Sequence, residues 1–84
     1  MKLLNSMITG VYSGDAWVLT IKIDTQHPEI IAEIEIGDGY MDDTVVSDSI
    51  ELGIWLWYLG IVGKDVDGII AQVDGAQTFC LACS

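Results

Sequence analysis

Two short stretches in which every second residue is apolar constrain the fold of this chain more than any other feature. They are residues 17–24 and residues 30–36. Their apolar positions are Trp17, Leu19, Ile21, Ile23, Ile30, Ala32, Ile34 and Ile36. A period of two is typical of strands that bury one face. Because a short connector containing Pro28 joins the stretches, they are predicted to pair as antiparallel strands.

A further strand is predicted over residues 7–12, since a turn at residues 13–15 would lead the chain back into residues 17–24. The three strands would form an antiparallel meander with one polar and one apolar face. The polar face would carry Thr20, Lys22, Glu33 and Glu35. The apolar face must be covered by another element.

Residues 44–60 are predicted to form the helix that covers this face. Their apolar residues recur at helical spacing along one stripe. The stripe consists of Val46, Ile50, Ile54, Trp57 and Ile61. Thr44 or Ser47 is the expected N-cap, and Gly60 is the expected end. A strand is the alternative for this segment, because alternate residues over 50–58 are also apolar.

Two structures fit residues 66–83. A β-hairpin would turn at Asp74-Gly75, a dipeptide preferred in tight type I′ turns. A second helix would place the apolar residues of 66–76 on one stripe. Gly68 and Gly75 each cost a helix about 1 kcal/mol relative to alanine, so the hairpin is favoured. The expectation is an α+β fold: a three-stranded antiparallel meander packed on one helix, with a C-terminal hairpin or second helix.

The chain has 84 residues, of which 51% are hydrophobic. This length suits one domain over residues 1–84, and this composition excludes a disordered chain. So many apolar residues in so small a domain predict a buried interface, with a partner protein or with a second copy. No signal-peptide pattern follows Lys2, and the longest apolar stretch, residues 50–62, is too short for a membrane span. A cytoplasmic protein is expected.

Most of the net charge of −10 is concentrated in residues 29–51, a segment without Lys, Arg or His. Its carboxylates are those of Glu29, Glu33, Glu35, Asp38, Asp42, Asp43, Asp48 and Glu51. A patch of one sign attracts oppositely charged surfaces and speeds encounter with them. It also repels phosphates, which argues against direct binding of nucleic acid. A basic, nucleic-acid-binding protein is the expected partner.

The sequence offers no catalytic constellation and no complete set of metal ligands. His27 is the single histidine and arginine is absent, although charged transition states usually require a cation. The acidic segment 38–43 departs from the EF-hand loop, which needs glycine where Asp43 stands. Cys80 and Cys83 form a lone CxxC pair, and free thiols are expected. We therefore expect no enzyme, cofactor or bound metal, with a divalent-cation-binding module as a weaker alternative.

The predicted helix offers an aromatic anchor for a partner. With Ile50 facing the sheet, Trp55 and Leu59 fall on the far side of the helix, near Asp48 and Glu51. Aromatic side chains ringed by polar groups are typical of tight protein interfaces. If the C-terminal segment packs on that side, Trp55 and Leu59 belong to the core instead. The residues predicted to bind the partner are Glu33, Glu35, Asp38, Asp42, Asp43, Asp48, Glu51 and Trp55.

Small size, a single domain, strong acidity, the lack of a catalytic set and a surplus of apolar helix surface resemble the small phage-encoded anti-CRISPR proteins. Strands at 17–24 and 30–36, followed by a helix with the Trp-Leu-Trp-Tyr run at 55–58, are similar in order to the sheet-then-helix arrangement of some members. The resemblance implies a stoichiometric inhibitor in the host cytoplasm. It would occupy the basic nucleic-acid-binding surface of a Cas effector or nuclease, partly by imitating the charge of DNA.

The alternative function is a structural or oligomer-assembly module of the phage type. Such a module would bury the apolar helix face against further copies of the chain. Self-association would then define the interface, and the carboxylates would serve mainly to keep the protein in solution.

Overall fold

A computed structural model describes residues 7–24 and 29–83 of the chain. Its elements are, in chain order, β1 (Met7–Gly14), β2 (Trp17–Asp24), β3 (Ile30–Ile36), β4 (Tyr40–Val46), α1 (Ser49–Tyr58) and α2 (Lys64–Cys83). The four strands lie in the sheet in chain order, each antiparallel to its neighbours. Both helices contribute to one core with the same face of the sheet, so the fold is α+β with two layers. Neither helix, over the part of the chain that is described, is long and apolar enough to cross a bilayer.

The two strands predicted from alternation are confirmed as β2 and β3, with the predicted bounds. Leu19 pairs with Ile34 and Ile21 pairs with Ala32, so both alternating apolar sets reach the same face. Each of these four side chains is at most 2% exposed. The intervening polar residues, Glu33 among them, lie on the opposite, outer face. An apolar inner face and a mainly polar outer face, which also carries Val18, therefore follow from the alternation.

The prediction of three strands is wrong, because residues 40–46 form a fourth strand, β4, where a loop and the start of a helix are expected from the sequence. Gly37 and Gly39 have positive φ angles of 61° and 109°, which glycine adopts without a steric penalty, and they turn the chain back onto β3. β4 is an edge strand and can therefore contain Asp42 and Asp43. Charges at a sheet edge also hinder pairing with further strands. β1 extends two residues past its predicted end.

α1 is shorter than the predicted helix and spans Ser49–Tyr58. Neither Thr44 nor Ser47 caps it. The N-cap is Asp48, whose Oδ1 accepts a hydrogen bond from the N–H of Glu51 at 2.9 Å. Glu51 Oε1 in turn accepts one from the N–H of Ser47 at 2.7 Å. These two bonds satisfy the N–H groups of Glu51 and Ser47, and the two carboxylates suit the positive end of the helix dipole.

α1 turns a different face towards the sheet from the predicted one. Ile50, Ile54 and Trp57 are 71%, 61% and 68% exposed, whereas Leu52 and Leu56 are completely buried. The spacing is ambiguous because α1 carries apolar residues on all sides, so that two stripes fit a helical period. Packing against the sheet and α2 decides between the two stripes, and this packing is not visible in the spacing.

The tail is a helix, α2, and the preference for a hairpin is wrong. Val66, Ile69 and Val73 are buried along one stripe. Burial of such side chains stabilises the fold by roughly 1.5–3 kcal/mol each, which outweighs the cost of about 1 kcal/mol for each helical glycine. α2 lies beside α1, where Ile70 Cδ1 is 3.7 Å from the position that a Cβ on Gly53 would take.

Two polar contacts tie α2 to the start of α1. Gln77 Nε2 donates to the carbonyl oxygen of Ser47 at 2.6 Å, and Ser49 Oγ donates to Asp74 Oδ1 at 3.1 Å. Gln77 and Ser49 are buried polar residues, which fold stably only when they are hydrogen-bonded. The connection from β4 into α1 is therefore held from the α2 side.

Candidate protein-binding surfaces

Three acidic residues of β3 and β4 form a surface on the side of the sheet that the helices leave open. This acidic sheet face consists of Glu33, Glu35 and Asp43. Glu33, Glu35 and Asp43 are exposed on the outer face, in strand positions that alternate with buried ones. Glu33, Asp42 and Asp43 also line one open depression of about 280 Å³ together with Met41. The structure therefore brings together four of the residues predicted to bind a partner.

Glu33 and Asp43 are directly opposite each other in the register of β3 and β4. Like charges in this position destabilise a sheet, because the two Cβ atoms are only about 5 Å apart. Lys22 Nζ approaches Glu33 Oε2 at 4.0 Å, and such an exposed pair stabilises little. Lys64, the other lysine in the described part of the chain, lies beside Tyr12 of β1. No described cation pairs with Asp43.

Asp38 and Asp42 extend the acidic sheet face in different ways. Asp38 is exposed in the turn between β3 and β4. Asp42 is in register with Ile34 on the helix side of the sheet, but its Oδ1 accepts a hydrogen bond from the N–H of Asp43 at 2.9 Å. This bond keeps the Asp42 carboxylate close to the strand edge, where it also discourages pairing with another chain.

Asp48 and Glu51, which are also predicted to bind the partner, lie beyond the other end of β4. Because β4 has seven residues, its two ends are about 20 Å apart. Both carboxylates accept hydrogen bonds at the start of α1. The predicted acidic patch is thus divided into two parts. One is the acidic sheet face with Asp38 and Asp42 beside it, and the other is the pair of helix-start residues, which have a structural role of their own.

Trp55 is half-buried and packs against the hydrophobic core, as does Leu59. Trp55 also lines an open groove of about 400 Å³ between β4 and α1, together with Val45, Ile54 and Tyr58. The indole therefore serves the core and remains accessible from the groove. It is not the centre of the exposed surface of α1.

Sequence reasoning missed the surface that is centred on the outer side of α1. This apolar α1 face consists of Ile50, Ile54, Trp57 and Tyr58, which are 61% to 81% exposed. A signal for it exists in the sequence, because α1 has more apolar residues than one buried stripe requires. Whichever stripe faces the sheet, the other remains at the surface.

Ligand sites of other kinds do not emerge from the described residues. Among them, no group of three or more Asp, Glu, His or Cys side chains could hold a metal ion. His27 and the connector at residues 25–28 lie outside the described residues, and the side chains of Cys80 and Cys83 lie outside the described part of α2. The predictions made for these residues are therefore not addressed by the structure.

Comparison with known proteins adds no relative. No protein-family model matches the chain, and no curated protein or solved structure is significantly similar to it. The class of the fold, a four-stranded antiparallel meander with two helices on one face, is therefore defined by the structure alone.

Proposed function

We propose that this chain is a stoichiometric protein inhibitor that covers the basic nucleic-acid-binding surface of another protein with its acidic sheet face. The observation that supports this proposal is the pairing of Glu33 with Asp43 on the open side of the sheet. Glu35 lies on the same face. The proposed class is that of the small phage-encoded anti-CRISPR proteins, and the proposed target is a Cas effector or nuclease in the host cytoplasm.

The arrangement has a physical cost that folding does not explain. Opposed carboxylates weaken the pairing of β3 with β4, and the only described lysine nearby is Lys22. By contrast, Asp48 and Glu51 cap α1, so their charge has a structural reason. An uncompensated charge on an open face strengthens the field that attracts a basic partner. Binding of Lys or Arg side chains would relieve the repulsion between Glu33 and Asp43.

The spacing of the carboxylates on the acidic sheet face allows them to take the place of the phosphates of a nucleic acid. Alternate residues along β3 are about 7 Å apart, and neighbouring strands are about 5 Å apart. Glu33, Glu35 and Asp43 thus present a close two-row array of acceptors. A carboxylate binds the guanidinium of Arg in the same bidentate way as a phosphate does. The inhibitor would act by occupying these cations, without a chemical step.

Competition with nucleic acid tests the proposal. Labelled DNA or RNA would be bound to purified Cas effectors and nucleases, and fluorescence anisotropy would report its displacement. We expect at least one of these targets to lose its nucleic acid when about one copy of the chain is added per binding site. The variant Glu33→Gln/Asp43→Asn should displace much less, because it removes the opposed charges while keeping the side-chain shapes.

Asp65→Asn/Asp67→Asn is the matched control, since it also removes two charges and both residues are exposed carboxylates of α2 outside the acidic sheet face. It should displace nucleic acid about as well as the unchanged chain. Equal displacement by Glu33→Gln/Asp43→Asn and Asp65→Asn/Asp67→Asn would contradict the assigned surface. If none of the targets loses its nucleic acid, the proposal that the chain is an inhibitor is contradicted.

A further inference from the structure

The apolar α1 face is large for a domain of this size. Trp57 and Tyr58 are 68% and 81% exposed, and an aromatic side chain buries about 150–250 Å² when it is covered. With Ile50 and Ile54, the face therefore exposes on the order of 500 Å² of side chain. The largest apolar patch on a typical monomeric protein covers about 300–600 Å² and is often functional.

The two layers of the fold separate this face from the negative charge. Leu52 and Leu56 point towards the sheet, so Ile50, Ile54 and Trp57 point away from it on the opposite side of α1. The acidic sheet face lies on the other side of the sheet. Glu51 is the only acidic residue within α1, and its carboxylate is bonded to the N–H of a neighbouring residue. The four residues of the apolar α1 face therefore carry no charge themselves, in a chain whose net charge is −10.

We propose that a second copy of this chain covers the apolar α1 face, in a two-fold symmetric dimer. In such a dimer the same patch lies on both sides of the interface, so an uncharged apolar face meets another one. Val62, which is 65% exposed just after α1, would enlarge the interface. The combined area approaches the roughly 800 Å² per partner that a stable interface buries.

A second copy can cover the apolar α1 face because the acidic sheet face lies on the other side of the fold. When two copies meet through α1, their acidic sheet faces point outwards at opposite ends of the dimer. Each chain is at least 16 Å thick along its shortest axis, whereas charges are screened over about 8 Å at physiological salt. The strongest repulsion between the copies is therefore avoided, and the remaining repulsion weakens as salt is added.

A dimer through the apolar α1 face has a consequence for target binding, a step that rests on the proposed function. The dimer would display two acidic sheet faces, and a target with two basic sites would be bound with an avidity that a monomer lacks.

Sedimentation equilibrium of the full chain tests this proposal. The mass should rise from the 9.1 kDa of one chain to twice that value as the protein concentration increases through the micromolar range. The dimer dissociation constant should fall several-fold between about 20 mM and 500 mM NaCl, because salt screens the repulsion between like-charged copies. Binding of a basic target through the acidic sheet face should weaken over the same range, so the two proposals are tested separately.

Neutral substitutions then locate the interface. Ile54→Ser and Trp57→Ala should each raise the dissociation constant at least about tenfold, as for central residues of an interface. Both residues are exposed in the single chain, so its helix content and its unfolding in dilute solution should be unchanged. Val11→Thr is the matched control, since Val11 is 66% exposed on the outer face of β1. It should leave the dimer intact.

Three results would overturn the proposal. The first is a mass of one chain at every concentration and salt, which would leave the apolar α1 face to a different protein. The second is a dimer that Ile54→Ser and Trp57→Ala do not weaken. The third is a dimer that dissociates as salt is added, because that would place charged contacts at the interface. If Ile54→Ser lowers the helix content, Ile50→Ser replaces it in the same measurement.

Discussion

Glu33 of β3 and Asp43 of β4 are directly opposite each other on the open face of the sheet. Two exposed carboxylates in this relation oppose the pairing of the strands that carry them. Lys22 lies 4.0 Å from Glu33, and no cation in the described part of the chain pairs with Asp43. Glu33 and Asp43 therefore repel each other at the edge of the sheet. Removing this repulsion should measurably change the free energy of unfolding.

Asp43→Lys should raise the free energy of unfolding by about 0.5–1 kcal/mol, since it replaces a like-charge pair across the strands with an opposite-charge pair. Urea unfolding at low salt would measure the gain, which should shrink when salt is added. Asp38→Lys is the control, because it changes the net charge equally from a turn position without a partner across the sheet. The same gain in both variants would mean that the effect comes from net charge alone.

The prediction of the sheet succeeds where alternation is strict and fails where charge interrupts it. β2 and β3 alternate apolar and polar residues except at Val18 and Ile31, and their bounds follow from the sequence. β4 contains Asp42 and Asp43, residue types that are depleted in strands. Its edge position, which permits these residues, is a property of the whole sheet. Glu33 is thus predictable as an exposed residue, but its opposition to Asp43 is visible only once β4 is paired with β3.

The orientation of α1 and the structure of the tail are not predicted correctly from the sequence, for two different reasons. Ile50 and Leu52 both belong to acceptable helical stripes, so spacing does not decide which of them is buried. In α2, the penalty for Gly68 and Gly75 is local, whereas the burial of Val73 and its neighbours depends on a sheet and a helix that are distant in sequence. The apolar α1 face is therefore found only after all of these elements are in place.

Gly68→Ala and Gly75→Ala should each stabilise the single chain by up to about 1 kcal/mol, because alanine has the higher helix propensity. A Cβ at either position meets no atom within 4 Å, so no clash offsets the gain. Unfolding would be followed by circular dichroism at a concentration at which sedimentation shows the mass of a single chain. Gly60→Ala is the control, since Gly60 has a φ angle of 86°, which alanine adopts only with strain. Gly60→Ala should destabilise the chain. If it stabilises the chain instead, the positive φ angle of Gly60 after α1 is contradicted.

Gly14→Ala should destabilise the fold by roughly 1–3 kcal/mol, the usual cost of forcing extra volume into a packed site. A Cβ on Gly14 would overlap the indole of Trp17, the residue with which Gly14 pairs across β1 and β2. Trp17 packs against the core, so its ring has little freedom to move aside. Thermal unfolding should show a Tm lower by several degrees. Ser13→Ala, at the exposed neighbouring position, should leave the Tm almost unchanged, and an equal loss there would rule out the overlap as the cause.

The rate at which the chain associates with its proposed basic target should fall steeply between about 20 mM and 150 mM salt, because screening weakens long-range attraction. The dissociation rate should change much less, since it depends on short-range contacts. Glu33→Gln/Glu35→Gln should flatten the dependence of the association rate on salt, and Asp65→Asn/Asp67→Asn in α2, which removes the same number of charges, should leave it nearly as steep. Stopped-flow mixing measures both rates. Equal slopes for the two variants would show that the overall charge of the chain, and not the acidic sheet face, guides the encounter.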